Sequence, residues 1–162
     1  MASHGMQLLR TGACRPGLLA LIESAGKTPE TLSFRDLSFT IGPRINAAGR
    51  MESGLRAVEL LRSKQQSEQQ ELAAAIHVFN TDRRASQGEI FEQAKQQLDT
   101  ALYPYSNVLY APHWHKGVVG IVASKIVEHH YRPTIILTKS GDKLAGSCLL
   151  YTSDAADDGT GV

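Results

Sequence analysis

The chain has 162 residues, with 17 Lys and Arg against 16 Asp and Glu, so its formal net charge is +1. Hydrophobic residues make up 42% of the sequence and charged residues 20%, a balance typical of a globular protein and not of a disordered one. No apolar run approaches the roughly 20 residues that a bilayer-spanning helix needs, so we expect no membrane span. Two cysteines, Cys14 and Cys148, are too few for a disulfide framework or a zinc site and favour a reducing, cytoplasmic location.

The first third of the chain is predicted to form short helices. Residues 16–22 begin with a proline, which suits the first position of a helix. Ser33 and, three positions later, Asp36 indicate a capping box at a second helix start. Residues 53–61 predict a further short helix.

Residues 42–50, GPRINAAGR, are predicted to form a loop or a helix junction, because the Pro43 ring blocks a helical hydrogen bond. Within them, Arg44 and Arg50 flank Asn46 and a run of small residues. Arginine presents planar donors that match a phosphate, and asparagine can donate or accept beside it. The segment is therefore a candidate phosphate-positioning loop. An exposed loop with solvated arginines explains the same pattern, and spacing alone favours that simpler interpretation.

A long helical pattern rich in Gln, Glu and Ala covers residues 63–102. The polar residues 80–84, NTDRR, separate two apolar stripes, which consist of Leu72, Ile76 and Phe79 and of Phe91, Ala94, Leu98 and Leu102. A long helix with a polar middle suggests a connector that contacts a different lobe at each end. Its Arg83–Arg84 pair is interpreted as a solvated face, with a nucleic-acid groove as the weaker alternative.

The sequence after Pro104 predicts a strand at residues 107–111, a helix at 116–129 and a buried strand at 134–138. A turn and a further strand follow. This alternation predicts an α/β region at the C-terminal end of the chain.

A second candidate site lies where the first strand ends and the helix begins, at residues 113–120, HWHKGVVG. Free N–H groups and the helix dipole make such a position favourable for anions. His115 is a candidate phosphate donor or general acid, and a purely structural histidine is an equal alternative. Trp114 is expected in the core, with base stacking as the alternative. Gly117 and Gly120 would let a ligand or a neighbouring strand approach closely.

The motifs IGPRINAAGRM and HWHKGVVGIVASKIVEHHYRPTIIL, separated by the long connector, resemble the RecJ family of exonucleases in the DHH phosphoesterase superfamily. The resemblance covers about residues 5–147. It implies an α/β fold of two lobes joined by a long helix. Residues 1–55 would be the C-terminal part of the DHH lobe, 56–104 the connecting helix, and 105–147 the N-terminal part of the DHH-associated, strand-binding lobe.

The resemblance also implies a function. The family hydrolyses phosphodiester bonds of single-stranded DNA from 5′ to 3′ in repair and recombination. It uses Mn²⁺ or Mg²⁺, held by Asp and His residues, to activate water and neutralise the leaving oxygen. The implied partners are single-stranded DNA and repair or replication proteins. The residues that match the family's substrate-binding motifs are Arg44, Asn46, Arg50, Trp114, His115, Gly117, Gly120 and Ser147, where Ser147 would begin a Gly-Ser-x-Arg-Ser motif.

The last fifteen residues, 148–162, break the pattern of the chain and closely resemble the translation of a sequencing adapter. We therefore expect them to lie outside the fold. The metal-ligand motifs of the family would precede Met1, so no catalytic or metal-binding residue is assigned here. We expect these 162 residues alone to have no nuclease activity.

Three other functions remain open on the sequence. One is a DHH phosphoesterase that acts on short oligonucleotides or cyclic dinucleotides, although the long connector and the Trp-His-x-Gly motif argue against it. Another is a non-catalytic module that binds nucleic acid or a replication partner. The last is a structural α/β domain, which salt-dependent binding to single strands would distinguish from the others.

Overall fold

The computed structural model describes residues 2–98 and 105–150 of the chain. The chain divides into two units, Met1–Arg84 and Ala85–Val162. The elements in chain order are helices α1 (Ala2–Arg10), α2 (Pro16–Ser24), α3 (Phe34–Asp36), α4 (Gly42–Met51), α5 (Leu55–Arg62) and α6 (Gln66–Gln97), strand β1 (Asn107–Tyr110), helix α7 (Val119–His130) and strands β2 (Thr134–Ser140) and β3 (Lys143–Leu149). The expected α/β class is confirmed, and none of the described helices is long and apolar enough to cross a membrane.

The core of the first unit is made of apolar side chains from its helices. Leu21 and Ile22 of α2 are fully buried, as are Leu60 of α5 and Ile76 of α6. Burying a side chain of this size stabilises a fold by about 1.5–3 kcal/mol. Phe79 packs against the same cluster, so the first apolar stripe predicted on the long helix is confirmed.

Helices α2 and α5 approach each other at a glycine. A β-carbon added at Gly17 would lie 1.9 Å from the carbonyl oxygen of Leu60. Any larger residue would therefore push the two backbones apart. Pro16 begins α2, as the sequence predicts, because its fixed φ suits the first helical turn.

The predicted capping box at Ser33 and Asp36 is confirmed. The Asp36 N–H donates to Ser33 Oγ over 3.1 Å, and the Ser33 N–H donates to Asp36 Oδ2 over 3.0 Å. Lys27 Nζ lies 2.8 Å from the other carboxylate oxygen. The Lys27 ammonium and the Ser33 donors together lower the pKa of Asp36 from 3.8 to about 2.

Residues 42–50 are helical, so the expectation of a loop is wrong. A π-helical turn, Leu37–Ile41, joins α3 to α4 without interruption. Its wider hydrogen bond runs from the Gly42 N–H to the Leu37 carbonyl. The ring of Pro43 would clash with the preceding turn of a regular α-helix, and this wider turn accommodates it.

The second unit contains a three-stranded sheet in the order β1-β2-β3. Strand β1 pairs with β2 in parallel, and β2 pairs with β3 antiparallel. Helix α7 connects the parallel strands and packs against β2. Val122 and Ile126 of α7 and Ile136 of β2 are fully buried. The predicted strand–helix–strand unit is therefore confirmed.

The short helix predicted over 53–61 and the long helical pattern predicted from residue 63 are observed as α5 and α6, because Ser63 leaves helical geometry between them. The bounds 56–104 of the connecting segment, which the resemblance implies, stay a prediction. One boundary differs from the sequence-based expectation. Cys148 and Leu149 belong to β3, since Cys148 pairs with Ile135 and continues the antiparallel ladder. The expectation that the fold stops before residue 148 is wrong for these two residues. Residues 99–104 and 151–162 lie outside the described residues, and the assignment of lobes to the two units stays a prediction.

Acid should reveal the contribution of Asp36 to stability. Because the folded state lowers its pKa to about 2, the ionised carboxylate stabilises the fold above pH 3.8, and this contribution is lost as the pH falls from about 4 through 2. We expect the melting temperature of the chain to fall over this range and that of Asp36→Asn to fall less. Thermal unfolding followed by circular dichroism measures both. The variant Glu30→Gln, at an exposed position, is the control. If its melting temperature also fell less with pH, to the same extent as that of Asp36→Asn, the assignment would be contradicted.

Candidate nucleic-acid interface

A basic pocket of about 220 Å³ lies in the first unit. Its walls come from the π-helical turn, the start of α4 and the middle of α6. Its lining contains three arginines and no carboxylate among the residues that the structure describes: Phe39, Pro43, Arg44, Asn80, Arg83 and Arg84. A pocket of this composition suits an anionic ligand.

Arg44 is half-buried in a wall of this pocket. Its Nη1 donates to the carbonyl oxygen of Thr40 over 2.8 Å, which fixes one side of the guanidinium. Its Nε is buried without a hydrogen-bond partner among the described residues. Burial lowers the pKa of Arg44, and the positive charge of Arg84 lowers it further. An anion placed here would offset both effects.

Arg83 is positioned by a buried amide. Asn80 is 5% exposed, and its Oδ1 accepts a hydrogen bond from Arg83 Nη2 over 3.3 Å. Burial lowers the pKa of Arg83, and the charges of Arg50 and Arg84 lower it further. Arg84 is exposed, as the interpretation of the Arg83–Arg84 pair as a solvated face predicts, whereas Arg83 is half-buried and departs from it.

The structure thus brings Arg44 of the predicted phosphate-positioning segment, residues 42–50, together with arginines from outside that segment. Arg44 shares a pocket with Arg83 and Arg84, and Arg50 is close enough to affect the electrostatics of Arg83. Asn46 is exposed on α4 and does not line the pocket. The sequence offered a signal for the Arg83–Arg84 pair, since two adjacent cations interrupt an amphipathic helix.

In the second unit, a glutamine of α6 holds the Trp-His segment. Trp114 is 3% exposed, and its Nε1–H donates to Gln93 Oε1 over 2.7 Å. The same oxygen lies 2.9 Å from His113 Nε2. Thr138 of β2 donates its hydroxyl to the Trp114 carbonyl over 2.6 Å. Because its indole is enclosed in the core, Trp114 positions this segment and has little ring surface on which a base could stack.

The backbone at the start of α7 sets the state of His115. The Gly117 N–H donates to His115 Nδ1 over 3.1 Å, so that nitrogen is an acceptor and the proton of a neutral ring is on Nε2. The His115 carbonyl accepts from the N–H groups of Val118 and Val119, and α7 begins at Val119. The half-buried ring therefore has Nε2–H as its remaining donor.

Gly120 and Ser147 come together from α7 and β3. A β-carbon added at Gly120 would lie 3.4 Å from Ser147 Oγ, so the glycine leaves room for that hydroxyl. Ser147 is half-buried and pairs with Ile136 of β2. The structure thus brings together residues of two separate predicted motifs, the Trp-His-x-Gly-x-x-Gly segment and the beginning of Gly-Ser.

Metal binding needs several close ligands. Within residues 2–98 and 105–150, no group of three or more His, Cys, Asp or Glu side chains could hold a metal ion. The candidate residues of both units instead offer donors: guanidinium groups in the first unit, and an imidazole N–H and a hydroxyl in the second. Donors of these kinds suit the oxygens of a phosphodiester.

The α/β architecture with its long helix is similar to that of solved RecJ structures. A crystal structure of exonuclease RecJ bound to manganese matches 83% of the chain with a TM-score of 0.74 and 31% identity, and the match covers 33% of that protein. RecJ of Thermus thermophilus in complex with Mg²⁺ matches 76% of the chain with a TM-score of 0.66 and 33% identity, over 19% of its own length.

Sequence comparison leads to the same family. The single-stranded-DNA-specific exonuclease RecJ of Escherichia coli is 39% identical over 146 residues, which are 86% of this chain and 25% of that protein. The RecJ of Dickeya dadantii is 37% identical over 149 residues, or 88% of this chain. The chain is therefore homologous to RecJ proteins, and it spans about a quarter of the length of these relatives. No protein-family model matches it.

Removing the acceptor at Gln93 should destabilise the second unit. Gln93→Met keeps the length of the side chain but leaves the buried Trp114 N–H without a partner, which typically costs about 1–3 kcal/mol. Gln93→Glu retains an acceptor and should recover most of this loss. Urea unfolding followed by the fluorescence of Trp114, the single tryptophan of the chain, measures the difference. Equal stability of Gln93→Met and the parent would show that the hydrogen bond does not hold this segment.

Proposed function

We propose that the chain is part of a metal-dependent exonuclease for single-stranded DNA, and that it supplies surfaces which hold the phosphates of the strand. The observation that carries this proposal is the pocket in which the half-buried Arg44 meets Arg83 and Arg84 with no carboxylate in the lining. Clustered arginines repel one another, and a polyanion relieves that repulsion. The homologous RecJ proteins are named as exonucleases specific for single-stranded DNA.

A second phosphate-binding surface is proposed at the start of α7. His115 has a donor at Nε2, and Ser147 Oγ lies against the space left by Gly120. An imidazole N–H and a hydroxyl can bind a phosphate without contacting the bases, which suits an enzyme that acts on any sequence.

Hydrolysis itself is proposed to depend on metal ligands outside these 162 residues. RecJ structures contain Mg²⁺ or Mn²⁺. Such ions activate a water molecule and stabilise the leaving oxygen of a phosphodiester. The residues of this chain would position the strand for that chemistry, in DNA repair and recombination.

The location and partners follow from the same proposal. We place the protein in the cytoplasm, where its free thiols, Cys14 and Cys148, would stay reduced. Single-stranded DNA is the proposed substrate, and repair or replication proteins are the further partners expected of such a nuclease.

The arginine pocket can be tested by binding. We expect the chain to bind a fluorescein-labelled oligo(dT) at about 50 mM salt and to lose affinity as salt rises. In the double variant Arg44→Ala, Arg84→Ala, two arginines of the pocket lining are lost. If each holds one phosphate, the slope of log affinity against log salt should decrease by about 1.4. Fluorescence anisotropy measures the affinity, and circular dichroism checks that the variant folds.

The matched control removes the same charge elsewhere. Arg56 and Arg62 lie on α5 outside the pocket, and Arg56 forms exposed ion pairs with Glu52 and Glu59. Arg56→Ala, Arg62→Ala should leave the slope almost unchanged. A slope that falls equally in both double variants would mean that only net charge matters, and a parent chain that does not bind would refute the proposal.

The prediction that hydrolysis requires further residues has a direct measurement. The purified chain, incubated with Mn²⁺ and a 5′-labelled single strand, should release no nucleotides. Metal-dependent release by this chain would place metal ligands within its 162 residues.

A further inference from the structure

Phe39 is an exposed aromatic side chain in the wall of the basic pocket. It is 76% exposed, whereas its neighbour Ile41 on the same π-helical turn is buried at 3%. An aromatic ring this exposed contributes little to the core of the unit. Its position beside Arg44 and Arg84 in the pocket lining is therefore unexplained by packing.

The local backbone fixes this arrangement. The π-helical turn carries Phe39, and the hydrogen bond from Arg44 Nη1 to the Thr40 carbonyl holds the guanidinium against the same turn. Single π-turns within helices often occur at functional sites, because they place a side chain where a regular helix could not. A planar apolar surface and a cationic wall are thus set next to each other on rigid secondary structure.

A nucleotide has a complementary pair of groups. Its base offers a flat apolar face, and its phosphate offers a negative charge one sugar away. Proteins that bind single strands combine stacking on aromatic rings with a positive groove that follows the backbone. In a duplex, neighbouring bases already cover both faces of each internal base, so such a ring can stack only where the strand is unpaired.

We propose that Phe39 makes the pocket selective for single-stranded nucleic acid, by stacking on one base whose neighbouring phosphates are held by Arg44 and Arg84. This inference rests on the proposed function, because it assumes that the pocket holds a DNA strand. It goes beyond it by assigning the discrimination between single and double strands to one side chain. Phe39 would contribute selectivity, and the arginines would contribute the salt-dependent part of the affinity.

The test compares single-stranded and duplex probes of equal length on the 162-residue chain. We expect Phe39→Ala to weaken binding of the single strand about 5- to 140-fold, as loss of one stacked base would. Duplex affinity and the salt slope should be unchanged. Arg84→Ala should instead lower the slope by about 0.7 on the single-stranded probe. An abasic single strand should bind the parent chain and Phe39→Ala equally.

A direct readout of stacking uses tryptophan. Trp114 is buried, so Phe39→Trp adds a second, exposed indole whose fluorescence should be quenched by oligo(dT). Phe34→Trp is the matched control, because Phe34 is 54% exposed in the same unit and does not line the pocket. Its fluorescence should not respond.

The outcomes separate the two proposals. If the parent binds single strands with the expected salt slope but Phe39→Ala binds them equally well, the role of Phe39 is refuted and the proposed function stands. If Phe39→Ala weakens duplex and single-strand binding alike, selectivity is not set by this ring and the inference is also refuted. If the parent binds neither probe, the proposed function fails and the inference fails with it.

Discussion

Pro43 is the backbone constraint on which the candidate site in the first unit depends. Pro43 has no N–H to donate. In a regular α-helix its ring would clash with the carbonyl group of Phe39, four residues earlier. The helix continues because the turn before it widens to a π-turn, closed by a hydrogen bond from the Gly42 N–H to the Leu37 carbonyl. Arg44 follows immediately and bonds back to the Thr40 carbonyl. The geometry that accommodates the proline therefore also orients the guanidinium that lines the pocket.

The electrostatics of this pocket indicate a site prepared for an anion. Burial lowers the pKa values of Arg44 and Arg83, and neighbouring arginines lower them further. Each effect means that the folded chain holds these charges less favourably than water does. Surface arginines elsewhere, such as Arg56, are paired with carboxylates at little net cost. The cluster of Arg44, Arg83 and Arg84 in one pocket is the arrangement on which the proposed phosphate-binding function rests.

Much of the fold was predictable because its signals are local. The proline at the start of α2 and the capping box at Ser33 act within one helical turn, so the sequence alone located both. The helical state of residues 42–50 was not predictable from the rule that proline breaks helices, since that rule does not consider a compensating π-turn at Leu37–Ile41. The motif identified Arg44 as a candidate phosphate ligand. Arg84 lines the same pocket as Arg44 because of how α6 packs in the first unit, which no local pattern encodes.

Side-chain carboxamides of α6 fix how this long helix contacts its neighbours in each unit, in addition to its apolar residues. Asn80 accepts from Arg83 in the first unit, and in the second unit Gln93 accepts from the Trp114 indole. Gln97 forms a pair of 3.1 Å hydrogen bonds with the Tyr110 backbone, which satisfies groups of β1 that no strand pairs on that side within the described sheet. A carboxamide can donate and accept at once and carries no charge, so it can be buried at lower cost than an ion. Asn80, Gln93 and Gln97 of this helix therefore make specific contacts that hold neighbouring groups within their own units.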